Sequence, residues 1–307
     1  MSGVSVSIVT HRSRACIDTC LAGVAAQGAV VREVLVVDSA SDDGTAEHLR
    51  LQPRVAFCAL ERNVGYAAGH NLNFARARGR FFLVLNPDVV LAPGHLDVLV
   101  GALERDRGVG AAVGRLLAPG PERRLDSAGI ARTRTRFVDR GRSEAADRYG
   151  REEDVFGACG AAALYRSAVL RGVCRGDEAP FAERFFMYYE DVDLAWRLRR
   201  AGFRTRYVPT AEAVHLRGGS GASATFVEYH LVRNRLWLTL RNARGRELLR
   251  DLPGLALFSA AKAVQSTRRP HLRAALRDQL RGVPASLRER AALRAHARLV
   301  VHGVEGR

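Results

Sequence analysis

The sequence is short of lysine, of paired cysteines and of long apolar runs, and each shortage removes a class of protein. Lys262 is the one lysine among 48 basic residues, so the cation used throughout is arginine. Cysteine occurs five times, at Cys16, Cys20, Cys58, Cys159 and Cys174. An odd number, with no Cys-x-x-Cys pair and no Cys/His cluster, excludes a disulfide framework and a structural zinc site and predicts a reducing setting. No segment approaches the ~20 apolar residues that a spanning helix needs; Leu252 to Ala261 is about half of that. Met1 to Val6 has neither a basic n-region nor an apolar h-region, so the expectation is a cytoplasmic protein without an export signal. The first apolar strand runs on into Thr10-His11-Arg12-Ser13 rather than Gly-x-Gly-x-x-Gly, which argues against a nicotinamide-binding oxidoreductase. There is no internal repeat, low-complexity tract, zinc finger, RNP motif or helix-turn-helix pattern.

What is present is an ordinary globular composition with one outlier. With 307 residues, 47% hydrophobic and 26% charged, the chain has enough apolar material for one large domain or two ordinary ones. The outlier is a net charge of +16. From Arg241 onward there are fifteen basic and five acidic residues, so most of the excess belongs to the end of the chain. There the spacing of Leu252, Leu255, Phe258, Ala261 and Val264 predicts amphipathic helices. We divide the chain into residues 1–240 and a basic helical region, 241–307. The helices have a bland reading, a solvated charged face. Their functional reading is peripheral binding to an anionic membrane on the inner face of the plasma membrane. A nucleic-acid-binding protein is the rival from another class; acidic clusters elsewhere in the chain would repel a phosphate backbone and count against it.

Strands alternate with helices along the first part. Val4 to Thr10 and Val30 to Asp38 read as strands around a helical segment at Cys16 to Ala26. The rhythm continues with strands at Val55 to Ala59 and Phe81 to Leu85 and helices near Tyr66 to Ala77 and Gly94 to Asp106. Such alternation predicts an α/β fold with a mostly parallel sheet covered on both faces, and a ligand site beyond the carboxyl ends of its strands. Leu116 to Glu153 loses its periodicity and reads as a long irregular excursion. Structure resumes at Val155 to Tyr165, with a helix at Glu190 to Ala201 and a strand at Phe203 to Tyr207.

Four segments could carry chemistry. Val36 to Thr45 delivers Asp38 into a Ser/Asp/Gly turn, where it either bonds a ribose or base edge or only shapes the turn. Leu83 to Asp88 ends an apolar strand in Asn86-Pro87-Asp88, a turn able to aim a carboxylate at a hard divalent cation. Phe185 to Arg197 places Glu190, Asp191 and Asp193 behind an aromatic stretch. A helix N-terminus explains one or two acidic residues there; apolar surroundings would also make a carboxylate more basic and fit it to accept a proton. His215, in Val214 to Ser220, is by itself as well explained by a structural role.

Together these segments resemble the inverting glycosyltransferases of family 2, which have the GT-A fold. Ile8-Val9-Thr10-His11-Arg12 is similar to that family's opening, with His11 where tyrosine is usual. Val36 to Thr45, Asn63 to Asn71, Leu85-Asn86-Pro87-Asp88, Gly157 to Arg166, Phe185 to Arg197 and Arg233-Asn234-Arg235 resemble its further motifs in order, over roughly residues 4 to 240. The set most resembles the rhamnosyltransferase-like branch. The resemblance implies a mixed, mostly parallel sheet with helices on both faces. It also implies a nucleotide-sugar donor, dTDP-L-rhamnose favoured, and a saccharide or lipid-linked acceptor in cell-wall or surface polysaccharide synthesis. It assigns donor contacts to Thr10, Asp38, Asn63, Gly65, Asn71 and Asn86. Asp88 and His215 become ligands of Mg²⁺ or Mn²⁺, Asp191 the general base, and Glu190 and Asp193 acceptor-orienting groups. Asn86 replaces the first acid of the D-x-D pattern, which removes one charge from the metal site. Another nucleotide sugar on the same fold is the alternative.

Overall fold

The computed structural model describes residues 3–133, 136–174, 179–218 and 222–304, with side chains to residue 293. In chain order the elements are β1 (Val4–Thr10), α1 (Ile17–Ala25), β2 (Val31–Ser39), α2 (Thr45–Arg50), β3 (Val55–Leu60), α3 (Gly65–Arg76), β4 (Phe81–Leu85), β5 (Val89–Leu91), α4 (His95–Arg105) and β6 (Val109–Leu117). There follow β7 (Leu125–Ser127), β8 (Ile130–Arg132), β9 (Phe137–Asp139), β10 (Glu153–Val155), β11 (Ala162–Arg166), α5 (Ser167–Val173), α6 (Glu190–Arg200) and β12 (Arg204–His215). Four helices close the chain: α7 (Ala224–Asn242), α8 (Arg246–Gln265), α9 (Pro270–Arg281) and α10 (Val283–Val304).

A mixed, mostly parallel sheet runs in the order β10-β12-β6-β11-β4-β1-β2-β3. β3, β2, β1 and β4 are parallel, β11 enters antiparallel between β4 and β6, and β6 pairs parallel with β12. The apolar runs of β1, β4 and β6 are buried on both faces, as helix-covered sheets require, while the edge strand β3 is partly exposed. On one face Ile17, Val24, Leu49, Leu96, Leu99 and Leu103 of α1, α2 and α4 pack on β1 and β4. On the other, Phe74, Val169, Leu170, Leu194 and Leu198 of α3, α5 and α6 pack on Phe82, Val84 and Tyr165. All the strand ends that point the same way therefore open on one rim.

Three expectations change. The strand expected at Phe203 to Tyr207 continues to His215, because β6 and then β5 supply hydrogen-bond partners past a register shift between Val208 and Glu212. Pro209 and Glu212 interrupt the alternation that would have announced this. The stretch from Leu116 to Glu153 is not structureless: it holds β7, which pairs with β6, and the β8–β9 hairpin. Helix begins before the basic region expected from residue 241, at Ala224, so the division expected at residue 240 falls in the last turn of α7. That turn is tied to the sheet domain, for Arg241 pairs with Asp193 of α6 at 2.8 Å.

Candidate active site

The rim is built from strand ends. Thr10 ends β1 and lies opposite Asp38 in the parallel ladder. Its hydroxyl donates to Asp38 Oδ1 at 2.7 Å, and Ser41 adds its hydroxyl at 2.6 Å and its backbone N–H at 2.9 Å. Three donors hold one buried carboxylate in a fixed orientation. The adjacent Ser39 hydroxyl donates to Asn63 Oδ1 at 3.0 Å, and the same oxygen accepts the Gly65 N–H at 2.9 Å. Asn63 thereby holds the start of α3 while remaining exposed.

Asn86, Pro87 and Asp88 turn the chain from β4 into β5. The Asn86 N–H donates to Ala161 O at 2.9 Å, fastening this turn to the loop before β11. Asp88 Oδ1 lies 3.3 Å from His215 Nε2, which β12 delivers through its pairing with β5, and both residues are buried. His215 Nδ1 donates to Asp126 Oδ2 at 2.7 Å, and Arg217 donates to Asp126 Oδ1 at 2.6 Å. Burial alone would lower the imidazole pKa, but Asp126 and Asp88 outweigh it and raise it to about 9. An imidazole whose Nδ1 is fixed by a carboxylate and whose Nε2 meets a second carboxylate has the form of a metal ligand with its supporting group. An oxygen and a nitrogen donor side by side suit Mn²⁺ or Mg²⁺, and a bound cation takes the place of the Nε2 proton. Among the described residues no group of three or more His, Cys, Asp or Glu side chains is arranged to hold a metal by itself.

The third part is the segment from Phe185 to Asp191. Phe186, Tyr188 and Tyr189 all have positive φ, 65°, 66° and 72°, a conformation that costs free energy in non-glycine residues. Its carbonyls are held from α7. Asn234 Nδ2 donates to the Phe185, Met187 and Tyr188 oxygens, each at 2.9 Å, and Arg233 donates to Phe185 O at 2.8 Å. So braced, the loop starts α6 with Glu190 and Asp191. Asp191 Oδ2 accepts the Gly160 N–H at 3.1 Å, and Oδ1 accepts the Val192 N–H at 2.7 Å. Burial raises the Asp191 pKa to about 6 although both N–H groups pull it down. Glu190 is raised well above the usual carboxylate range by burial and then by Asp191, and its Oε2 is buried with no hydrogen-bond partner. Charge is disfavoured on both carboxylates by burial, and on Glu190 by Asp191 as well.

The three parts adjoin. Gly160 contacts Asp191, its neighbour Ala161 contacts Asn86, and Tyr188 lies within electrostatic reach of Glu190, Arg217 and Asp88. Three assigned residues stand elsewhere. Asp193, expected to orient an acceptor, has no exposed surface: Arg197 at 2.9 Å, Arg241 at 2.8 Å and Asn242 at 2.7 Å consume its oxygens, locking α6 to α7. Asn71, expected at the donor, spends its amide on the N–H and carbonyl of Phe181 and on Glu183. Gly65 is glycine for packing, since with φ at 80° a Cβ there would fall 2.6 Å from the Phe186 ring. Asp126 and Asn234 had no role in the sequence reading. Asp126 sits in the stretch without periodicity, and Asn234 belonged to a motif whose function only the carbonyls above it reveal.

Residues 5–173 match the model of the family described as glycosyl transferase family 2. An N-acetylglucosaminyl-diphospho-decaprenol L-rhamnosyltransferase of Mycobacterium tuberculosis is 31% identical over 206 residues, 59% of this chain and 66% of that protein. An N-acetylglucosaminyltransferase of Mesorhizobium japonicum is 31% identical over 205 residues, 63% of this chain but 46% of its own length. The chain thus spans two thirds or less of these relatives. Among solved structures, residues 1–349 of S. aureus TarS superpose with a TM-score of 0.57 at 18% identity, covering 96% of this chain and 88% of that one. A Pyrobaculum calidifontis mannosyltransferase in complex with GDP-Man and Mn²⁺ gives 0.54 at 18% identity, covering 91% and 86%. At those identities the superpositions establish the GT-A fold. With the family model covering more than half of its residues, the chain belongs to glycosyl transferase family 2.

Proposed function

We propose that the chain transfers a sugar, with inversion at the anomeric carbon, from a nucleoside-diphosphate donor to a saccharide or lipid-linked acceptor. L-rhamnose from dTDP-L-rhamnose is the favoured donor, and the reaction depends on Mg²⁺ or Mn²⁺. The observation that carries the reading is the pairing of unlike groups on one rim: a basic carboxylate, Asp191, beside the Asp88–His215 pair. Asp88 and His215 are the residues that would hold the cation. When bound, it supplies Lewis-acid stabilisation of the charge developing on the departing diphosphate.

The chain's own groups perform the rest. Thr10, Asp38 and Ser41 form a fixed polar floor at the carboxyl ends of β1 and β2, where a nucleoside binds in sheets of this kind. Asn86, between that floor and Asp88, faces the donor's sugar or ribose. Asp191 accepts the proton of the attacking acceptor hydroxyl. A carboxylate with a pKa near 6 is ionised at neutral pH yet basic enough for the task. The Gly160 and Val192 N–H groups hold its orientation. One displacement with no covalent sugar–protein intermediate inverts the centre.

The name of the mycobacterial relative supports rhamnose. The rhizobial relatives and the TarS complex with UDP-GlcNAc support N-acetylglucosamine as the second reading. A panel of nucleotide sugars with and without Mg²⁺ or Mn²⁺, scored by protection against thermal unfolding and by product formation, separates them. Protection by dTDP-L-rhamnose that needs the metal and vanishes in Asp88→Ala supports the first reading. Protection by UDP-GlcNAc alone replaces it, and protection by none of the donors overturns both.

A further inference from the structure

The helix α8 is apolar on two opposite sides. Its inner side packs on α7 and α9: Leu248 joins the cluster around Trp237 and Leu238, Leu255 is buried, and Phe258 lies against Val232, Leu272 and Ala275. On its outer side Leu249, Pro253, Ala256, Leu257, Ala260 and Val264 fall at helical spacing into one stripe. The stripe is about 22 Å long at the rise of an α-helix. All six residues are exposed, Leu249, Leu257 and Val264 to 70%, 75% and 74%. The apolar residues whose spacing announced this helix do not share a side, because a step of three falls about 60° short of a full turn. Leu255 and Phe258 face inward and Val264 outward. Helices apolar on both sides belong in an interior or against a lipid, and among the described residues nothing covers the outer stripe.

Charge around the stripe is of one sign. The two acids of α8 are both drawn inward: Glu247 meets Arg132 at 2.8 Å and Arg200 at 2.7 Å, and Asp251 meets Arg132 at 2.8 Å. Arg246 and Arg250 are exposed and continue the row of Pro253 and Leu257 toward the start of the helix, Arg250 reaching back to Asp251 at 3.0 Å. Just past the other end stand Arg268 and Arg269, both exposed, the second paired with Glu228 at 2.9 Å. A second copy of this chain is poorly matched to such a face, since a two-fold contact through the stripe sets one arginine end against another whichever way the helices run. An anionic bilayer is well matched. Its headgroups attract each basic residue near the surface, and its acyl boundary takes the stripe out of water. No helix among the described residues is long and apolar enough to cross a membrane, so the fit is to an interface rather than to a span.

We propose that the outer face of α8 seats the chain on an anionic lipid surface, the stripe from Leu249 to Val264 sunk below the headgroups and the arginines at both ends among them. The docking does not depend on which sugar is transferred. Sedimentation of the full chain with unilamellar vesicles tests it, using phosphatidylcholine alone and equal parts of phosphatidylcholine and phosphatidylglycerol. The mixed vesicles should bind at least about tenfold more tightly than phosphatidylcholine, given four arginines near the surface, and the difference should shrink as salt is raised. The double variant Leu249→Gln/Leu257→Gln should weaken binding to mixed vesicles at least about tenfold through lost apolar burial, with the unfolding midpoint retained. Leu51→Gln, at the end of α2 and 80% exposed, is the control and should change nothing. Absence of vesicle binding, indifference to the double variant, or an equal loss in Leu51→Gln overturns the proposal. So does a dimer, seen by light scattering, that the double variant converts to monomer, because a second copy then covers the stripe. Equal affinity for both vesicles overturns the anionic assignment. Failure of the transfer reading is recognised separately, by absence of nucleotide-sugar protection with the vesicle result unchanged.

Discussion

The strand-end side of the site and the loop that carries Asp191 bury the same chemical group under opposite terms. At the strand ends each carboxylate is given partners: Asp38 has three donors, and Asp126 is held below the usual carboxylate range because His215 and Arg217 outweigh its burial. On the loop, burial dominates and Glu190 and Asp191 rise. The first arrangement fixes charge where charge must be held still. The second makes a group that can exchange a proton near neutral pH. The supports differ as well, since the first side rests on strand pairing, parallel at β1 and β2 and antiparallel at β5 and β12, and the second on Asn234 and Arg233 pulling a backbone of positive φ into place.

Substitutions break this contrast in graded ways. Asp191→Asn, which removes the proposed base while retaining shape, should lower kcat by about 10² to 10⁴ with donor binding intact; equal loss of donor binding would place Asp191 on the wrong side of the comparison. Asp193→Ala removes the buried carboxylate that Arg197 and Arg241 share, leaving Glu289 as an acidic partner of Arg241, and should cost about 3–5 kcal/mol of stability, read from denaturant midpoints. Asp126→Asn should weaken Mn²⁺ affinity by about 10 to 100-fold, measured by titrating the metal with dTDP present, and should leave the pH profile of turnover unmoved. Asn234→Ala gives up three bonds to loop carbonyls and should cost about 1–3 kcal/mol, with kcat falling more than donor affinity. The mildest probe is pH. A raised acid pKa means that Asp191 is protonated, and no longer a base, below about 6, so kcat/KM should fall tenfold per pH unit below that value and level off above it. A fall centred near 4 would mean that the loop carboxylate is as well solvated as any on the surface.

Much of the sheet was legible beforehand. Val4 to Thr10 and Phe81 to Leu85 are apolar runs with clear ends, and their strands match those bounds. The far end of β12 was not, because Pro209 and Glu212 are tolerated only where β6 and β5 supply the missing order. Of the candidate residues, Asp88 and His215 meet at 3.3 Å, and Asp191 stands in the first turn of α6, after Tyr188, which is within electrostatic reach of Asp88. Asp193 carries the same acidic signature but points into two arginines, one of them on α7 and 48 residues distant.

The sequence by itself determined the alternation of strands and helices, the order of the motifs, the family they resemble and the concentration of positive charge toward the end of the chain. These are local properties, set by side-chain periodicity and by what neighbouring residues can bury. Only the tertiary structure decided which two of three neighbouring acids are raised in pKa by burial and which is a strut between α6 and α7. It also brought Asp126 behind His215. The reason is that the ionisation of a carboxylate depends on desolvation and on the charges within a few ångströms, and those neighbours come from distant parts of the chain.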